Sequence, residues 1–186
     1  LPVSVQPLAV RLIHCCGMPD ILDDLAYVVE GPTAGSNALA AGKPVLVDAN
    51  MVAAGITKRF LPEQNQVICT LDHDETRKRA KSLGTTRSAA AVDLWWQHLE
   101  GAVVAIGNAP TALFRLLEII EDGAPRPALI LGLPVGFVGA AESKEALIER
   151  ADGIPYVTLR GRRGGSALAA AAVNALALHR TTPGDL

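Results

Sequence analysis

Arg11-Leu12-Ile13-His14 sets a guanidinium and an imidazole three residues apart, so on a helix both face the same side. Histidine changes charge near neutral pH and is the natural general acid or base. The segment Pro7–Cys16 has helical periodicity, with Leu8, Leu12 and Cys15 or Cys16 on one side, and Gly17 and Pro19 end it. His14 therefore stands at a helix end. Taken alone, such a histidine reads as structural. His73, His98 and His179 are scattered and no C-x-x-C occurs, so no metal-ligand spacing is present.

A second group lies far downstream, in Arg162-Arg163-Gly164-Gly165-Ser166. Two guanidiniums, flexible backbone donors and a hydroxyl precede a helix, a combination suited to carboxylate or phosphate. Gly107-Asn108-Ala109-Pro110 and Gly132–Gly139 are comparable glycine-containing turns before helices. The alternative is that these glycines serve positive φ and the arginines face water. Nucleotide and hydrolase motifs do not decide it. No G-x-G-x-x-G follows a strand, Ala41-Gly42-Lys43-Pro44 is no P-loop, and no G-x-S-x-G elbow exists.

The elements that must position these groups are legible as repeats. Val103–Ile106, Ala128–Leu131 and Tyr156–Leu159 are continuous apolar runs, each followed by one of the turns and then by a helical stretch. Those helices are 111–121, 142–150 and 166–178. Pro44–Val47, with Asp48 at its end, and Val67–Thr70 add two further strands, and Leu25–Val29 a third. Buried apolar strands alternating with helices imply an α/β fold with a parallel sheet covered on both faces, and ligands bind beyond the strands' C-terminal ends. Residues 85–99 read as one helix, with Ala91, Leu94, Trp95, His98 and Leu99 on its apolar face. Asp72 and Glu75 have capping-box spacing for a surface helix ending at Leu83. The helix 167–178 is apolar all round except Asn174, which implies a central helix or one pressed on a second subunit.

Composition narrows the class. The 186 residues carry 49% hydrophobic and 19% charged side chains, as one domain with a real core does. A net charge of −2 gives no reason to expect nucleic acid, and no apolar run approaches a membrane span. Three cysteines, two of them adjacent, point to a reducing cytoplasm rather than a disulfide framework.

Several long motifs together resemble the precorrin-8X methylmutase family, the precorrin isomerases of cobalamin biosynthesis. They are Arg11–His14, Asp48–Thr57, Thr86–Ala90, Gly107–Phe114 (GNAPTALF), Pro134–Glu145 (PVGFVGAAESKE) and Arg160–Ala167 (RGRRGGSA). The resemblance implies a flavodoxin-like three-layer α/β/α fold with a mostly parallel sheet, and a homodimer with sites near the interface. It also implies a single domain over 1–186 that lacks the family's N-terminal segment. The implied reaction is migration of a methyl group on ring C of precorrin-8X or cobalt-precorrin-8, from an α carbon to the adjacent β carbon. The cobalt-free product is hydrogenobyrinic acid, and neither an organic cofactor nor a protein-bound metal is needed. His14 corresponds to the essential histidine, and Arg11, Thr57 and Arg87 to substrate contacts. With the matching motifs and the arginine turn, the expected binding set adds Ser88, Asn108, Thr111, Arg162, Arg163, Gly164 and Ser166. Such a substrate carries many acetate and propionate carboxylates, which arginines and helix N-termini suit. The migration is a sigmatropic shift, aided by protonating a ring nitrogen, so a histidine is the one acid it asks for. Two other readings remain at this point: a homologue that binds a corrinoid without turnover, and a generic α/β domain for a phosphorylated ligand.

Overall fold

The computed structural model describes residues 1–179. Helix α1 (Gln6–Cys16) starts the chain, and Gly17 closes it at φ 70° with its N–H on the carbonyl of Ile13. Glycine suits that left-handed position. A 3₁₀ segment, Pro19–Asp24, leads into strand β1 (Leu25–Tyr27). Then follow α2 (Gly31–Ala40), β2 (Val45–Val47), α3 (Asn50–Gly55) and β3 (Val67–Ile68). Next come α4 (Asp74–Leu83), α5 (Arg87–Val92), β4 (Val103–Ile106) and α6 (Pro110–Glu121). The chain continues through β5 (Leu129–Gly132), α7 (Ala140–Arg150), β6 (Tyr156–Leu159) and α8 (Ser166–Leu178).

The six strands lie in the order β1-β6-β5-β4-β2-β3. All neighbours are parallel except β1, which runs antiparallel to β6. Leaving β1 aside, the parallel strands follow the flavodoxin-like order, with its switch point between β2 and β4. Alternate strand residues face opposite cores. Val45, Val47, Val103, Ala105, Leu129 and Leu131 pack with α1, α2, α3 and α8. Leu46, Val104, Ile106 and Ile130 pack with α6, with Trp95 and with Leu147 of α7. The expected three-layer α/β/α architecture is the one observed.

Two expectations change and one open choice is resolved. Residues 85–99 are not one helix: α5 ends at Val92, and Asp93–His98 is a 3₁₀ segment. The tighter turn buries Trp95 with its indole N–H on Thr70 Oγ1 at 3.0 Å, and Asp93 reaches Arg115 at 2.7 Å. A buried indole N–H needs such a partner, and the change of pitch leaves His98 exposed rather than on an apolar face. Second, the cap of α4 is His73, whose ring accepts from the Glu75 N–H, and not Asp72. Third, α8 is the central helix, covered by α1, α2 and α3 of its own chain.

Candidate active site

Helix α8 explains how distant residues meet. Its alanines permit close approach, so α1 packs along one side and the end of α3 on another. Gly55, the last residue of α3, lies so close that an added Cβ would stand 2.7 Å from that of Ala170. Asn174, the polar residue in the interior of α8, donates to the Gly55 carbonyl at 3.0 Å and accepts from the Thr57 N–H at 2.8 Å. That pair of bonds fixes the chain where α3 stops. Between these elements lies a cleft of about 360 Å³ lined by Arg11, His14, Cys15, Gly55, Thr57, Ala167, Ala170, Ala171 and Asn174. Desolvation and the neighbouring Cys16 push the Cys15 thiol up, against the pull of Arg11.

Arg11, His14 and Thr57 thus share one cleft. The other expected residues stand along the C-terminal edge of the sheet. Arg87 and Ser88 begin α5, and the Arg87 guanidinium is exposed, 3.7 Å from Asp72. Asp72 also accepts from Asn50 of α3 at 2.6 Å, which links Arg87 to the helix that ends at the cleft. Thr86, the α5 cap, donates to Thr111 Oγ1 at 2.9 Å, so α5 and α6 start side by side. The Asn108 and Thr111 side chains are exposed there.

Asp48 governs this edge in a way the sequence did not signal. Its carboxylate is 1% exposed and accepts the N–H groups of Gly107, Asn108 and Ala109 at 2.9, 2.9 and 2.7 Å. Burial pushes this carboxyl up, while the three donors pull it down. The amide donors ahead of α6 are therefore taken by the protein's own anion, and only side chains of that turn remain for a ligand. Gly107 also packs tightly on α8, where a Cβ would meet Ala169 Cβ at 2.7 Å and Ser166 Cα at 2.8 Å.

The turn Arg160–Gly165 divides its cations. Arg160 pairs with Glu145, and Arg162 stacks over the ring of Phe137, 5.7 Å from its centroid. Among the described residues Arg162 has no carboxylate partner. Arg163 sends one nitrogen to Asp20 at 2.6 Å and another to Asp24 at 2.8 Å. Those bonds hold the Asp20 carboxyl below its usual range. Gly164 is pressed against the carbonyls of Leu133 and Pro134, leaving no room for a side chain. Lys144, which sequence reasoning passed over, is fully buried with Nζ on the Arg163 carbonyl at 2.7 Å. Its only sequence signal was its place in the motif Pro134–Glu145.

Known proteins resemble this chain in sequence and in fold. The family described as "CbiC: Precorrin-8X methylmutase" matches residues 1–179. The precorrin-8X methylmutase of Pseudomonas aeruginosa is 60% identical over 180 residues, covering 97% of this chain and 86% of that protein. The cobalt-precorrin-8 methylmutase of Priestia megaterium is 35% identical over 173 residues, covering 92% of this chain and 76% of that protein. The crystal structure of precorrin-8X methyl mutase from Thermus thermophilus superposes with a TM-score of 0.87 at 41% identity, covering 95% of this chain and 85% of that one.

Proposed function

The chain belongs to the precorrin-8X methylmutase family, isomerases of cobalamin biosynthesis, and on that premise we propose that His14 is the general acid of a methyl migration on ring C of precorrin-8X or cobalt-precorrin-8. For the cobalt-free substrate the product is hydrogenobyrinic acid. One observation carries the reading: Arg11 and His14 of α1 line the same cleft as Thr57, more than forty residues away in sequence. His14 protonates a ring nitrogen, which makes the conjugated system electron-poor and lowers the barrier to the shift. No covalent intermediate with the protein is required. Arg11, Arg87 and Arg162 take side-chain carboxylates of the macrocycle, and Thr57, Ser88, Asn108, Thr111 and Ser166 supply hydroxyl and amide hydrogen bonds. The enzyme works as a homodimer in the cytoplasm, where a reducing environment suits its three thiols.

The test is His14→Asn under single-turnover conditions, beside a titration with hydrogenobyrinic acid. A general acid contributes about 10²–10⁴-fold, so product absorbance should rise at least about a hundredfold more slowly while affinity stays within a few-fold. Turnover close to wild type would place the proton donor elsewhere. Wild-type protein that binds hydrogenobyrinic acid but never converts precorrin-8X or cobalt-precorrin-8 would make the chain a binding homologue instead.

A further inference from the structure

We propose that Arg163 and Lys144 are positioning residues for this reaction, a strut that holds the two sides of the His14 cleft in register, and not ligands of substrate carboxylates. The proposal rests on the reading of the His14 cleft as the reaction site. One side of that cleft is α1, which ends at Gly17 and passes into the 3₁₀ segment Pro19–Asp24. The other is α8, which begins at Ser166 directly after the turn Arg160–Gly165. Arg163 joins the two through Asp20 and Asp24, at 2.6 and 2.8 Å. The backbone reinforces the junction, since the Arg160 N–H donates to the Asp24 carbonyl at 2.7 Å.

The turn is itself held from below. Lys144 of α7 reaches the Arg163 carbonyl at 2.7 Å, and the Gly165 N–H donates to the Leu133 carbonyl at 2.8 Å. A fully buried lysine is costly unless its ammonium is used. Here it anchors one carbonyl and lies near Asp24 and Glu145. Two carboxylates already bind the Arg163 guanidinium, so a substrate carboxylate would have to displace one of them. Arg162, beside it, carries the charge that faces outward.

The experiment measures single-turnover rate, KM and hydrogenobyrinic acid affinity for Arg163→Met, Asp20→Asn/Asp24→Asn and Lys144→Met. The charge-exchanged pair Arg163→Asp/Asp24→Arg and the single variant Arg163→Asp are measured beside them. Expected is a turnover loss of about tenfold or more, with KM and product affinity within about threefold, and substantial recovery in the exchanged pair relative to Arg163→Asp alone. If Arg163→Met or Lys144→Met does not fold, the double carboxylate variant, at one exposed and one half-buried position, reads the same clamp. A tenfold loss of product affinity with turnover retained would make Arg163 a direct ligand and overturn the proposal. Unchanged turnover, or no recovery in the exchanged pair, would overturn it as well. These results are separate from that of His14→Asn, which tests the assignment of the cleft itself.

Discussion

Asp48 answers a question of charge at single-residue scale: what anion sits ahead of α6. The carboxylate is buried on three backbone N–H groups, and a buried donor left unpaired costs roughly 1–3 kcal/mol. Asp48→Ala should therefore lower stability by about 2 kcal/mol or more, read as a shift of the urea midpoint at constant slope. A loss below about 0.5 kcal/mol, within ordinary surface-substitution scatter, would mean that water replaces the carboxylate. Lys144 gives a pH signature. Burial lowers its pKa from 10.5 to about 8, opposed by Asp24 and Glu145. Between those values the unfolded chain holds the proton and the folded chain does not, so this group makes stability rise with pH across that window. Lys144→Met should remove that part of the slope, seen by comparing urea midpoints of the two proteins from about pH 8 to 10.5. His14, Arg11 and Thr57 were legible because motifs name them. The partners of Asp48, Arg163 and Lys144 were not, because each is met across a stretch of chain that no local pattern spans.

Helices and strands are where periodicity speaks most clearly, and the apolar runs of β4, β5 and β6 with their following helices were readable for that reason. Pairing was less so. Strand β1 looks like the others in sequence, yet it joins β6 antiparallel at the edge of the sheet. The break at Val92 was hidden because Trp95 and Leu99 keep the four-residue apolar spacing of an α-helix. The apolar helix α8 left two choices open, and coverage by α1, α2 and α3 shows it as the central helix. Its spacing from α3 is set by Gly55 against Ala170. Gly55→Ala should push the helices apart, destabilising by roughly 1–3 kcal/mol as overpacking does, and loosen the Asn174 bonds that fix Thr57. Ala170→Gly in the same chain should recover part of that stability, as coupling between touching residues requires. Thermal unfolding of the four proteins in the cycle measures it, and strict additivity would show that the two residues do not press on each other.

For the whole molecule, the proposed homodimer must choose a face, and α1 with the end of α8 is the better candidate. Val10 and Leu178 are 65% and 50% exposed. They rim a cleft of about 460 Å³ whose lining includes Arg11 and His14, so it adjoins the proposed reaction cleft. Trp96, 42% exposed, belongs to the opposite side of the sheet, with α5 and α6. A second chain seated on α1 would cover an apolar rim and complete a wall beside His14. It would also exclude water from the macrocycle, which strengthens the charged contacts there. A chain seated on Trp96 would do none of these things. Val10→Glu places a charge in the first interface, and such a group is costly to bury. Sedimentation should then change from twice the 19.4 kDa chain mass to the single chain. Turnover should fall with it and recover as protein concentration rises. Trp96→Glu should leave both mass and turnover unchanged. If Trp96→Glu yields monomers and Val10→Glu does not, the chains meet on the far side of the sheet, and each His14 cleft works without help from its partner.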